Sequence, residues 1–239
     1  HPRVRRQRQM CIRDRSDGVK NEESDIPKSR QIIYYGAPGT GKSHKIKEAL
    51  GEYEDCPADK KVPKVNIFRT TFHPDSDYST FVGAYKPTKV KRPLYGLFGK
   101  DTVRMKDGED LFEDMITYKF VPQAFLNAYI RAYQTDENVY LIIEEINRGN
   151  CAQIFGDLFQ LLDRDENGIS EYTIKADADL KSFLEEELGE DNPGIKDGEL
   201  CLPSNLYIYA TMNTSDQSLF PIDLSLIHIS EPTRRVVIS

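Results

Sequence analysis

No stretch of this 239-residue chain approaches the roughly 20 consecutive apolar residues of a membrane span, which excludes an integral helical membrane protein. An excess of positive charge is also missing. Lys and Arg number 32 against 39 Asp and Glu, a formal net charge of −7, which argues against a general binder of nucleic acid or anionic membrane. Cysteine is scarce: four residues at unpaired spacings do not make a disulfide framework, and a reducing cytoplasm is the expected setting. His44 and His73 have no second His or Cys at ligand spacing, so neither points to a His/Cys metal centre. The basic N-terminus is not followed by an apolar stretch of about 7–15 residues, so it is not a secretory signal. No internal repeat is present.

What is present begins with an oddity at the two ends. Residues 1–15 carry six Arg and one Asp and almost no core former. Met10-Cys11-Ile12-Arg13-Asp14 can be encoded by a string whose reverse complement translates as Leu-Ser-Leu-Ile-His-Ile. Leu224-Ser225-Leu226-Ile227-His228-Ile229 stands at the other end. Two ends of a natural domain have no reason to encode each other's complement. Both resemble translated transposon-end sequencing adapters, so residues 1–15 and 224–239 are set aside as non-native. The ends carry 8 basic and 2 acidic residues; residues 16–223 carry 24 and 37, a formal −13, with Cys56, Cys151 and Cys201 remaining.

Within that segment, residues 16–30 are polar and read as a linker. Four apolar runs read as buried strands: 31–35, 65–71, 138–143 and 205–212. Helical composition or spacing covers 42–53, 120–134 and 151–163, with Pro122 tolerated in a first turn. Residues 73–119 read as loop, given the turn signals at Pro74, Pro87, Pro93 and Gly108. A hairpin strand is expected at 170–174. Residues 176–198 are acidic and loop-like, with a short helix near 180–188. Strands separated by helices imply an α/β fold around a parallel sheet.

Gly36-Ala37-Pro38-Gly39-Thr40-Gly41-Lys42-Ser43 satisfies G-x-x-x-x-G-K-[ST], following a strand and opening a helix. Glycines let successive backbone N–H groups turn toward phosphate oxygens, and the helix N-terminus adds partial positive charge. Lys42 then reaches the β- and γ-phosphates, and the Ser43 hydroxyl ligates Mg²⁺. The 138–143 strand ends in Glu144-Glu145. In this context Glu144 holds the metal through its water shell and Glu145 polarises the attacking water; alone, such a pair is a solvated strand end. Asp is more usual at the first of these positions. Asn213, closing the last strand, contacts the γ-phosphate or the water, or else simply opens the turn into Thr214.

Together these pieces resemble AAA+ ATPases of the dynein-related branch, and McrB-like proteins within it, over residues 31–223. The carriers are GAPGTGKS (36–43), FHPDSDYSTFVGAYKP (72–87), LIIEEINRGNCAQIFGDLFQLLD (141–163) and ATMNTSDQSLFPID (210–223). Asn213 falls on the sensor Asn of the last motif. Asn147 and Arg148 fall on the Asn-Arg after the acidic pair, with Arg148 either facing a neighbouring subunit's nucleotide or making a local salt bridge. Ser215 and Gln217 replace that motif's Ala and Arg, which leaves ATP and GTP open.

The resemblance implies a P-loop NTPase with an AAA+ αβα sandwich around a central parallel sheet. The nucleotide-binding domain spans 31–223 and is expected to be incomplete, cut before the last strand and helical lid. It implies Mg²⁺ as cofactor, ATP or GTP as substrate, a homo-oligomer with a hexamer expected, and an McrC-like nuclease partner. DNA would be read by a separate domain. Arg234 and Arg235 lie close to where a trans-acting arginine belongs, but Arg234 is encoded by the adapter frame, so weak binding and poor turnover are expected. The activity implied is that of the motor subunit of a modification-dependent (5-methylcytosine-type) restriction system. Two other readings stand: a MoxR- or dynein-like chaperone motor, and a nucleotide-binding module without turnover. The basic, aromatic-rich stretch 78–95 (Lys86, Lys89, Lys91, Arg92) is a pore or partner loop, or a solvated one.

Overall fold

β1 (Gln31–Gly36) alternates, sending Ile32 and Tyr34 into the core on one face of the sheet. The structure, a computed structural model, describes residues 29–96, 101–105, 107–214, 220 and 237–238. The adapter-like N-terminal segment, most of the linker, Ser215, Gln217, Arg234 and Arg235 lie outside the described residues.

α1 (Lys42–Ala49) returns along that face, and its Ile46, with Leu50, packs on Ile32, Tyr34, Tyr140, Ile142 and Tyr209. The helix stops at Leu50 rather than at residue 53, where the chain turns at Gly51. β2 (Ile67–Thr71) follows two 3₁₀ turns, Ala58–Lys60 and Lys64–Asn66. α2 (Tyr78–Phe81) is a single turn closed by a capping box: Asp77 accepts from the Thr80 N–H, and the Thr80 hydroxyl oxygen accepts from the Asp77 N–H.

Residues 73–119, read as loop, contain most of a long antiparallel hairpin, β3 (Gly83–Pro93) and β4 (Phe112–Pro122), paired from Gly83–Pro122 out to Pro93–Phe112. Pro87 and Pro93 mislead because a two-stranded ribbon has two outer edges, where a missing N–H costs no ladder bond. The inner end is docked: Phe120 packs between Tyr85 (ring centroids 5.7 Å) and Phe183 (4.7 Å). The outer part is solvated, with Phe112, Ile116 and Tyr118 exposed.

α3 (Ala124–Gln134) starts later than its apolar spacing suggested, because Phe120–Pro122 belong to β4. Its inner face buries Phe125, Leu126, Tyr129 and Ile130. The Tyr129 hydroxyl lies 2.6 Å from the Gly194 carbonyl and accepts from the Cys201 N–H at 3.1 Å, tying the helix to the segment that leads into the last long strand. β5 (Val139–Glu144) is fully buried from Val139 through Ile143. α4 (Cys151–Phe155) is capped by Asn150 and continues as a 3₁₀ stretch, Gly156–Leu162, where one helix had been expected throughout. In place of a strand over 170–174, Ser170 bridges Arg164, and the paired strands are β6 (Ile174–Lys175) and, beyond α5 (Ala178–Leu188), β7 (Glu199–Leu200).

β8 (Leu206–Asn213) completes four long parallel strands in the order β2-β5-β8-β1. The outer edge of β1 carries a further parallel pairing with β9 (Val237–Ile238), opposite Tyr34 and Tyr35. That pairing falls in the segment set aside as adapter-like, where no further strand was expected. It is two residues long, and an open strand edge accepts any short β-branched segment that reaches it. α1 covers one face of the sheet. α3, α4 and α5 cover the other, around Leu141, Ile143, Ile208 and Ala210. Each fully buried Leu, Ile or Phe there contributes about 1.5–3 kcal/mol. The result is an αβα sandwich with the C-terminal ends of β1, β5 and β8 opening together at one edge, where open α/β sheets bind ligands.

Candidate active site

Gly36 ends β1 and the chain turns through Gly39 and Gly41, both at φ +79°. A Cβ at Gly39 would meet nothing within 4 Å, so glycine is needed there for the left-handed backbone and not for room. Gly41 is the left-handed N-cap of α1, and the loop delivers Lys42 and Ser43 as the first helical residues. Lys42 is nearly buried. Its ammonium folds back over the loop, donating to the Gly36 carbonyl at 3.1 Å and the Ala37 carbonyl at 2.7 Å. Thr40 also donates to the Ala37 carbonyl, at 2.8 Å.

β5 and β8 bring the other groups. Glu144 ends β5, and its Oε2 accepts from Ser43 Oγ at 2.8 Å and from Thr211 Oγ1 at 2.7 Å. Its Oε1 accepts from Arg69 Nη1 of β2 at 3.1 Å. Glu145 sits in the left-handed region (φ 54°, ψ 47°), a conformation costing about 1–3 kcal/mol for a residue with a Cβ, and such strain concentrates at functional sites. Its backbone N–H donates to Thr211 Oγ1 at 3.0 Å, so one threonine orients both acidic residues. Asn213 donates its side-chain amide to Glu145 Oε1 at 3.1 Å. Arg148 Nε lies 2.8 Å from Glu145 Oε2 as an ion pair, although the geometry is not that of an aligned hydrogen bond. Of the two roles left open for Arg148, this is the local one. Asn147 is buried and donates to the Asn213 backbone carbonyl at 2.7 Å, linking the turn after β5 to the end of β8.

Lys42, Ser43, Glu144, Glu145, Thr211 and Asn213 line one cleft of about 550 Å³, with Pro38 and Gly39 among its other walls. Folding thus gathers residues from position 36 to position 213 on one edge of the sheet. Sequence reasoning missed Arg69 and Thr211. The signal for Arg69 was a lone charge inside the apolar run Val65-Asn66-Ile67-Phe68-Arg69; Thr211 gave none, since threonine is ordinary in strands.

The donor set fits Mg²⁺. Ser43 Oγ and Glu144 Oε2 are hard oxygen ligands already converged, and no cluster of three or more His, Cys, Asp or Glu that could hold a metal occurs among the described residues. Such a site is completed by substrate phosphates and water, as Mg²⁺ prefers.

The AAA domain profile of the dynein-related subfamily matches residues 31–229. The chain belongs to that AAA family. The AAA chain is 42% identical over 201 residues to the type II restriction enzyme BsuMI component YdiS of Bacillus subtilis (strain 168), covering 83% of this chain and 54% of that protein. It is 28% identical over 197 residues to the type IV methyl-directed restriction enzyme EcoKMcrB subunit of Escherichia coli (strain K12), covering 82% of this chain and 33% of the relative. The chain therefore spans from a third to about half the length of these curated relatives. It is an AAA+ ATPase domain related to restriction-system components, and no described helix is long and apolar enough to cross a membrane.

Proposed function

We propose that this chain is the Mg²⁺-dependent nucleoside triphosphatase module of a DNA restriction system, binding and hydrolysing ATP or GTP as an McrB-like motor. The observation that carries the reading is the convergence of Lys42, Ser43, Glu144, Glu145 and Asn213 on one cleft at the strand ends. Backbone N–H groups of residues 36–43 and the start of α1 bind the phosphates. Lys42 exchanges its loop carbonyls for phosphate oxygens. Ser43 and Glu144 hold Mg²⁺, which when bound neutralises charge on the terminal phosphates. Glu145 accepts the proton of the attacking water, and Asn213 orients that water or the γ-phosphate.

The partners belong to the same proposal: a homo-oligomer, with a hexamer expected, an McrC-like nuclease subunit, and DNA read by a separate domain. Cytoplasmic location goes with it. The modification-dependent refinement draws on the 28% relative, while the 42% relative carries a type II name.

Two experiments test this. Hydrolysis of ATP and GTP is measured with and without Mg²⁺ on wild type and Glu145→Gln; slow turnover in wild type and none in the variant is expected, and complete absence of Mg²⁺-dependent turnover overturns the motor in favour of a binding module. Phage carrying modified or unmodified DNA are then plated on cells expressing the full locus. Restriction lost in the Glu145→Gln strain is expected, and restriction unaffected by it removes the restriction role.

A further inference from the structure

Arg69 is a second cation tied to the site through the cleft residue Glu144. It sits in β2 two residues before Thr71, which pairs with Glu144 across the β2–β5 ladder, so Arg69 shares a sheet face with Thr71 and reaches along it. The guanidinium bridges two carboxylates: Nη1 donates to Glu144 Oε1 at 3.1 Å, and Nη2 donates to Glu52 Oε1 from the turn after α1. All three side chains are largely shielded, with Arg69 29%, Glu52 21% and Glu144 19% exposed. Glu144 thus receives donors from three elements: Ser43 of α1, Thr211 of β8 and Arg69 of β2. Ser43 and Thr211 both hold Oε2, whereas Arg69 holds Oε1 and brings a charge to the carboxylate.

We propose that Arg69 is a positioning residue for Glu144 that sets the site's demand for Mg²⁺, steadying a carboxylate one methylene longer than the usual Asp and competing with the metal for its charge. The inference rests on the nucleotide-binding reading above and adds a determinant that reading does not contain. Removing the guanidinium leaves Glu144 oriented through Oε2 and frees Oε1, so the effect on the metal acts through the Arg69–Glu144 pair. The pair is also specific to the longer side chain: an Asp at position 144 ends one methylene short of the guanidinium. Glu144 and Arg69 should therefore act as a unit and not independently.

The test is a fluorescent-nucleotide titration of the whole chain at increasing Mg²⁺, a binding readout that needs no turnover. Arg69→Gln should lower the Mg²⁺ midpoint about three- to tenfold, the size of one partly shielded ion pair released from Glu144. Arg69→Lys, which keeps the charge, should stay near wild type, and Mg²⁺-free nucleotide affinity should be unchanged in both, which reports an intact fold. In a Glu144→Asp background, Arg69→Gln should shift the midpoint little further. An unchanged or raised midpoint in Arg69→Gln overturns the proposal, as does an equal shift in the Glu144→Asp background. If wild type itself shows no Mg²⁺-dependent binding, the functional reading falls and this inference with it; if wild type shows it and Arg69→Gln does not differ, only this inference falls.

Discussion

Asn213 donates its side-chain amide to Glu145 Oε1 at 3.1 Å, joining the last residue of β8 to the second of the two acidic residues that close β5. The proposed water-polarising carboxylate is thus held by the residue proposed to contact the γ-phosphate. Arg148 holds the other oxygen at 2.8 Å. On the proposed reading, a phosphate or water that drew the Asn213 amide away would free one side of Glu145 and so link occupancy of the cleft to the base.

Asn213→Ala should therefore leave nucleotide affinity within a few-fold of wild type while lowering kcat about 10²–10³-fold, the loss typical of one positioned polar donor. Glu145→Gln should lower kcat about 10²–10⁴-fold. Single-turnover kinetics beside equilibrium binding check both. An equal loss of binding and turnover in Asn213→Ala would make Asn213 a structural residue only.

Arg148→Ala removes the local ion pair with Glu145. If that pair is the residue's whole role, turnover should change only a few-fold, and mixing mutant with wild-type chains should give activity proportional to wild-type content. A non-linear mixing curve would show that Arg148 also serves a neighbouring chain's nucleotide.

Phe120→Ala should undock the β3–β4 hairpin from α5, because Phe120 carries the ring contacts to Tyr85 and Phe183. The cost should be about 1–3 kcal/mol, since the ring is only partly buried. Urea unfolding gives the stability, and hydrogen exchange should rise in residues 83–93 and 112–122 ahead of the parallel sheet. Uniform exchange across the protein would show that the hairpin is not separately anchored.

Burial pushes the Cys151 thiol up to about 12. Essentially none of it is thiolate at neutral pH, so iodoacetamide should modify Cys151 only after unfolding. Peptide mass spectrometry at pH 8 in native buffer and in urea checks this; rapid native labelling of Cys151 would contradict the packing of α4. Asp77 gives a pH signature of the opposite sign. Hydrogen bonds from Ser79 and Thr80 hold its carboxyl below the usual range. The stability this confers is present in full above the ordinary carboxylate value near ~3.9 and is lost as pH falls through the lower folded value.

Much of this site was readable without coordinates because its parts are local. The octet Gly36–Ser43 is contiguous, and β5 announces itself by five apolar residues before Glu144-Glu145. What stayed hidden depends on which strands become neighbours. Arg69 meets Glu144 only because β2 lies beside β5, and Thr211 reaches the same carboxylate only because β8 lies on the other side. The hairpin was hidden for a different reason. Its strands interleave Lys89, Lys91, Pro87 and Pro93 with Tyr85 and Val90, since both faces of its outer part meet solvent, and hydrophobic period reports only surfaces that face a core.

The central claim, that the cleft of Lys42, Ser43 and Glu144 binds a nucleoside triphosphate with Mg²⁺, is tested most directly by an equilibrium titration of fluorescent ATP and GTP analogues. Wild type and Lys42→Ala are compared with and without Mg²⁺. Saturable, Mg²⁺-strengthened binding is predicted for at least one nucleotide in wild type, weakened about 10- to 100-fold in Lys42→Ala by loss of a charged hydrogen-bond donor. Binding of equal strength in both proteins, or no saturable binding in wild type, would contradict it.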